Sequence, residues 1–234
     1  MPILADLHTH STASDGQYTP AQLVALAKER GLSVLALTDH DTLDGLDEAV
    51  RAGEELGVQV LRGGELGAKE YRSRHSLGYG LSPDAPELQA LCGQLRAGRD
   101  ERKYRIIDYL REKGVDISLE EVESLAGGDV IARPHFAQVM VRRGYVSTTR
   151  EAFDRYLDTD DYQRIERFKA DARICVEAIR SAGGYAALAH PYQTKLEDDA
   201  LEALVRQLTG YGLSAIECYY PRHTPQQQAF YLQL

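Results

Sequence analysis

Two short histidine-bearing strings, Asp6-Leu7-His8-Thr9-His10 and Thr38-Asp39-His40-Asp41, each fall where an apolar strand should stop, and nothing else in this 234-residue chain constrains it as tightly. Strand residues alternate in direction, so His8 and His10 project to the same side. Ile3 and Leu4 precede the first string, and Val34, Leu35, Ala36 and Leu37 precede the second; both runs read as buried parallel strands. Polar residues at the carboxyl ends of such strands are where α/β folds place ligands. Either string alone also fits a core histidine hydrogen-bonded to a loop. Together they describe half of a metal site.

The first third of the chain repeats strand then helix. Thr19-Pro20-Ala21-Gln22 supplies an N-cap, a proline at the first helical position and a capping-box partner, and Gly31 ends the helix. A second unit follows, with a strand from Val34 to Thr38 and a helix from about Asp44 to Leu56 stopped by Gly57. Val58 to Leu66 reads as a third strand carrying Glu65, and Ser76 to Gly80 as a short fourth.

From residue 84 to about 165 the alternation lapses into charged helical segments, striped by Leu88, Leu91 and Leu95, then by Ile106, Ile107 and Leu110. Capping boxes are expected at Ser118 to Glu121 and Thr148 to Glu151. Each segment has its own apolar stripe, so the stretch reads as an inserted helical subdomain rather than a linker. Alternation then resumes with a helix Asp171 to Ala182, a strand Tyr185 to Ala189 ending at His190, a helix Asp199 to Leu208 and a strand Ala215 to Tyr219. The expected organisation is a barrel in two parts, 1–83 and 166–234, interrupted by a helical cap, 84–165. The last helix opens at Thr224-Pro225 and the chain stops at Leu234 with no stop signal. A cut end is therefore expected.

The size allows a substantial core without help from a cofactor. No signal peptide or apolar run approaching twenty residues is visible, and Cys92, Cys175 and Cys218 form no CxxC pair, which fits a reduced cytoplasmic protein. The net charge of −9 disfavours binding to duplex DNA and to anionic membranes, so a phosphate-bearing substrate needs a local cluster of cations.

All seven histidines, His8, His10, His40, His75, His135, His190 and His223, lie beside turn or strand-end signals. With Asp15 in the Ser14-Asp15-Gly16 turn and with Glu65, they offer nitrogen and oxygen donors without thiolate. That set suits Mn, Zn or Fe, often in a multinuclear centre, better than a structural zinc.

DLHTHSTASDG, ALTDHDTLDG, GGEL, HSLGYG, ARPH, LAHP and PRHTP, in that order, resemble the motifs of the PHP family of metal-dependent phosphoesterases, named for polymerase and histidinol phosphatase. The form with Ser-Asp-Gly, a helical insertion and ARPH is similar to the branch acting on nucleoside 3′,5′-bisphosphates and the 5′ ends of short single-stranded RNA. The resemblance implies a distorted (β/α)7 barrel with a helical cap. Its metal ligands would be His8, His10, Asp15, His40, Glu65, His75 and His190, holding two or three divalent ions, manganese first and zinc or iron as alternatives.

The resemblance also implies hydrolysis by a metal-held hydroxide. Arg133 and His135 would grip phosphate, helped by Arg99 or Arg102, which otherwise form a solvated helix face; His223 would be a loop histidine near the mouth, either a substrate contact or without a role. The family's seventh strand, ending in Asp-x-His, is absent from these 234 residues and is expected within roughly 30 to 60 further residues. A histidinol-phosphatase-like phosphomonoesterase and a noncatalytic PHP-like module are the rival readings. ARPH and the helical insertion argue against the first.

Overall fold

A computed structural model of the chain describes residues 4–69, 75–126, 131–165 and 168–234. Ile3, which the sequence places in the first strand, lies outside them. Six strands form one sheet in sequential order: β1 (Ala5–Thr9), β2 (Val34–Leu37), β3 (Gln59–Gly67), β4 (His75–Tyr79), β5 (Tyr185–Leu188) and β6 (Leu213–Ile216). The pairs β1/β2, β2/β3 and β5/β6 are parallel, as strand-helix alternation requires.

The fourth strand departs from that pattern. β4 runs antiparallel to both β3 and β5, so the sheet is mixed rather than the uniformly alternating barrel expected from sequence. Only residues 68–74 separate β3 from β4, too few for the dozen or more that a parallel crossover needs. Reversal has a consequence for the site. His75 opens β4, yet it pairs with Gly67 at the end of β3, so it stands at the same edge of the sheet as the carboxyl ends of the other strands.

The helices follow the predicted punctuation closely. α1 (Pro20–Glu29) carries the reciprocal Thr19 and Gln22 capping box, and α2 (Leu46–Leu56) stops at Gly57 in the left-handed conformation. Val24 and Ala27 of α1 and Leu46 and Ala49 of α2 bury Leu35 and Leu37 of β2. The first strand differs from expectation: Leu4 and Leu7 are exposed, and among the described residues β1 pairs with β2 alone.

The two leucine and isoleucine stripes between 88 and 110 belong to one continuous helix, α3 (Pro86–Glu112), whose 27 residues span about 40 Å. Its first half, Leu88 to Leu95, packs into the sheet core with α8 (Ala172–Ser181) and α9 (Asp198–Gly210). Its second half, Ile106 to Leu110, packs into a separate core with α4 (Leu119–Glu123) and α5 (Arg133–Arg142). Two short helices, α6 (Thr149–Ala152) and α7 (Asp160–Gln163), complete that second core, and α10 (Pro225–Tyr231) covers the end of the sheet core. Ser118 and Glu121 form the expected capping box. Thr148 caps Glu151, but Glu151 reaches back to the backbone of Ser147 instead of closing the box on Thr148.

Candidate metal centre

The carboxyl edge of the sheet gathers five imidazoles around one carboxylate. Glu65 is 1% exposed. Its Oε2 lies 3.3 Å from His8 Nε2, 3.3 Å from His10 Nε2 and 3.0 Å from His40 Nδ1, while its Oε1 lies 3.0 Å from His75 Nδ1 and 2.9 Å from His190 Nε2. The five rings close a circuit, His8 to His10, His40, His75, His190 and back to His8, with successive centroids 5.2, 4.5, 5.0, 5.2 and 5.7 Å apart. Asp15 stands beside it, 3.8 Å from both His10 Nδ1 and His40 Nε2. The structure thus brings all seven predicted ligands to one place.

Local geometry explains how Asp15 arrives there. Gly16 packs so tightly on the His10 carbonyl that a Cβ would sit 2.1 Å from its oxygen, so only glycine lets the 11–16 turn fold back. Asp39 then staples the turn, accepting from Ser11 N (2.7 Å), Ser11 Oγ (2.6 Å) and Ser14 Oγ (2.5 Å). His190 (φ 26°) and Asp41 (φ 55°) both adopt the left-handed conformation that side chains disfavour, and such strain concentrates at functional sites.

The donor set fits divalent cations. His8, His10 and Glu65, then His10, Asp15 and His40, then His40, Glu65 and His75, each present ligand atoms within 4.8 Å of one another. His10 Nδ1 and His190 Nδ1 are buried without a hydrogen-bond partner, an arrangement that costs about 1–3 kcal/mol per atom unless a ligand satisfies it.

Electrostatics divides the imidazoles. Burial would lower His8, but its contacts with Glu217 and Glu65 outweigh it and lift the pKa to about 10. Burial, with His40 adding repulsion, pushes His10 down to about 4; burial pushes His75 down to about 3. Burial also opposes protonation of His40, yet Glu65 and Asp15 prevail and raise it. The surrounding imidazoles hold Glu65 well below the usual carboxylate range despite its burial. A metal takes the neutral imidazole, so binding at pH 7 is expected to release about one to two protons per chain, from His8 and His40, and none from His10 or His75. Calorimetric titration in buffers of different ionisation heat reads that number. A value of zero would show that His8 is already neutral.

Beside His40, His75 and Asp15 opens a cleft lined by Arg99, Arg102, Lys103, Arg133 and Lys169. Arg99 is not on a solvated helix face: its side chain is 13% exposed and Nε donates to Asp41 Oδ2 at 2.6 Å. Arg102 lies over the Tyr162 ring, 4.6 Å from its centroid, with Nε buried and unpartnered. Arg133 donates to the Leu157 carbonyl at 3.2 Å and lies 5.4 Å from the Phe153 centroid.

The structure does not bring His135 and His223 into that cleft. His135 is buried in α5, where its Nδ1 accepts from Ala132 N and caps the helix. His223 is buried among Tyr192, Tyr220 and Tyr231, its Nδ1 2.9 Å from the Cys218 carbonyl. Sequence reasoning missed Glu217, whose carboxylate lies 2.9 Å from His8 Nδ1 and accepts from His190 N at 2.6 Å. The sequence hides its signal because the apolar run extends the expected strand to Tyr219, whereas β6 ends at Ile216 and leaves Glu217 at the strand end.

Comparison with known proteins places the chain among phosphoesterases. A 5′-3′ exoribonuclease of Haemophilus influenzae is 36% identical over 213 residues, 91% of this chain and 77% of the relative. A phosphoribosyl 1,2-cyclic phosphate 1,2-diphosphodiesterase of Eggerthella lenta is 36% identical over 95% of this chain and 85% of its own. A 3′,5′-nucleoside bisphosphate phosphatase of Chromobacterium violaceum is 33% identical over 91% and 75%. Among solved structures, an amidohydrolase from Chromobacterium violaceum with bound sulfate superimposes with a TM-score of 0.92 at 31% identity, covering 96% of this chain and 80% of that one. The profile of the PHP domain matches residues 6–173, and the chain belongs to the PHP domain family.

Proposed function

We propose that this metal-dependent phosphoesterase hydrolyses phosphate esters on a ribose that carries a second phosphate, with nucleoside 3′,5′-bisphosphates and the 5′ end of short single-stranded RNA as its substrates. The observation that carries the reading is the cluster of Arg99, Arg102 and Arg133 in the same cleft as His40, His75 and Asp15. Burial lowers the pKa of Arg102, and Arg133 and Arg99 add to it by repulsion. Arg99 is paired with Asp41 and Arg133 lies 3.5 Å from Asp158, so Arg102, whose buried Nε has no partner, is the cation that most calls for an anion besides the one at the histidines.

Two or three divalent ions, manganese first and zinc or iron as alternatives, supply an activated water and offset charge on the phosphoryl group when bound. The chain's own residues do the rest. Glu65, Asp15 and the five imidazoles form the donor set, Asp39 fixes the turn that carries Asp15, and Arg99, Arg102 and Arg133 hold the second phosphate with planar donors. In this reading residues 84–165 act as a cap that delivers Arg99, Arg102 and Arg133 to the barrel. A cytoplasmic setting suits the three free cysteines, and no helix among the described residues is long and apolar enough to cross a membrane.

Assays of adenosine 3′,5′-bisphosphate, phosphoribosyl 1,2-cyclic phosphate and histidinol phosphate test the proposal. Bisphosphate turnover should exceed histidinol phosphate turnover, and Arg102→Ala should raise KM for the bisphosphate roughly 10- to 100-fold while leaving a simple aryl phosphate much less affected. Equal or better turnover of histidinol phosphate, or preference for the cyclic ester, would overturn the nucleotide reading.

A further inference from the structure

Across the histidine circuit from the cationic cleft stands an aromatic wall that the reaction described so far does not use. The cleft borders His40 and His75. The other arc of the circuit, His190 and His8, faces Tyr220, whose ring centroid lies 5.8 Å from His190 and 6.2 Å from His8. Glu65 fills the middle of the circuit, so a phosphate binds at its rim, and a phosphodiester, with two esterified oxygens, has one substituent to place on each arc.

We infer that Tyr220 is the stacking platform for the base of the nucleotide downstream of the scissile phosphate in single-stranded RNA; the inference rests on the nucleotide reading above. The upstream nucleotide, with its 5′-phosphate in the arginine cleft, occupies one arc, and the downstream nucleotide lies over Tyr220 on the other. Hydrolysis joins the water oxygen to phosphorus and breaks the bond from phosphorus to the upstream 3′-oxygen. That oxygen keeps the electron pair and takes a proton, so a 5′-mononucleotide leaves and the downstream strand retains the phosphate. The same bond breaks in a 3′,5′-bisphosphate, where the Tyr220 side carries no nucleotide.

The wall is built to hold a ring in place. Tyr192 packs 5.8 Å from Tyr220 at 31°, and His223 packs 5.3 Å away. Buried His223 is itself tied to the Cys218 carbonyl, which fixes the turn that presents Tyr220. Tyr220 remains only half-buried, its neighbour Tyr219 is 71% exposed, and Arg222 beside them is an exposed cation. Aromatic rings next to a cation, without donors aimed at base edges, are how single strands are bound without sequence preference. His223 therefore acts as a positioning residue for the wall rather than as a substrate contact.

The test compares kcat/KM for a 5′-phosphorylated dinucleotide with that for adenosine 3′,5′-bisphosphate in wild type, Tyr220→Ala and Tyr220→Trp. Tyr220→Ala should lower the dinucleotide-to-bisphosphate ratio about tenfold, chiefly through KM for the dinucleotide, and Tyr220→Trp should restore it. The chain contains no tryptophan, so Tyr220→Trp also supplies a single indole emission that short RNA should quench and the bisphosphate should not. Equal losses on both substrates in Tyr220→Ala would make Tyr220 a packing residue and overturn the platform, as would indole emission indifferent to RNA. Failure of the wild type on both substrates would instead overturn the nucleotide reading, and the platform with it.

Discussion

Glu65→Gln is expected to strip the centre of tightly bound metal and to lower phosphoesterase activity by at least about a thousandfold, because the substitution removes the one anion that all five imidazoles share. Volume and burial barely change, so the fold should persist. Charge is what is lost. In the wild type Glu65 helps raise the pKa of both His8 and His40, and it offers two oxygens to a cation bound among them. With a neutral amide in its place, His8 keeps Glu217 as its close acid among the described residues, and the circuit presents imidazoles with a much weaker demand for a cation. Metal content by elemental analysis, set against the circular dichroism spectrum and the turnover of a phosphate ester, checks the prediction. Full metal loading with undiminished turnover would mean that Glu65 is a structural acceptor and that the ions bind elsewhere.

Most of this centre was legible in sequence because strand ends are local features. His8, His10, His40 and His190 each follow an apolar run, and the structure puts them at one edge of the sheet. His75 was legible as a ligand candidate while the direction of its strand was not. Only the short connection from β3 hinted that His75 reaches the same edge from the opposite direction.

The long helix hid its meaning for a different reason. Its inward stripe runs Leu88, Leu91 and Leu95, then Arg99 and Arg102, then Ile106 and Leu110, at one continuous helical spacing. Where apolar residues give way to arginine the period looks broken, and the segment reads as two helices joined by a charged stretch. It is unbroken, because the inward positions there line a cleft instead of a core. Cations at core-facing positions of a helix, flanked on both sides by an apolar stripe of the same phase, are the signal that would have assigned Arg99 and Arg102. His135 and His223 show the converse limit. A histidine beside a turn signal caps a helix or braces aromatic rings as readily as it meets a substrate, and spacing alone does not separate the two.

Asp41 links the second histidine string to that helix, and the largest stability effect outside the cores is expected there. The residue is fully buried, accepts from Gly67 N at 2.8 Å and accepts from Arg99 Nε at 2.6 Å. Asp41→Asn suits the left-handed backbone at φ 55° and can still accept from Gly67, so it isolates the charge. What remains is a buried guanidinium whose nearest counter-charge has gone. Breaking such a pair costs about 3–5 kcal/mol, and for a chain of this length each kcal/mol moves the midpoint by about 2–4 °C, so Tm should fall by roughly 10 °C. Arg99→Met in the same background should recover much of that loss, since the unpaired charge is then absent. Affinity for a bisphosphate should not recover, because the double variant lacks the cation that Asp41 aims into the cleft. Thermal melts of the single and double variants, with KM measured alongside, separate the two effects. An unchanged Tm in Asp41→Asn would show that Arg99 is solvated or paired elsewhere, and a double variant that regains both stability and affinity would remove Arg99 from the substrate site.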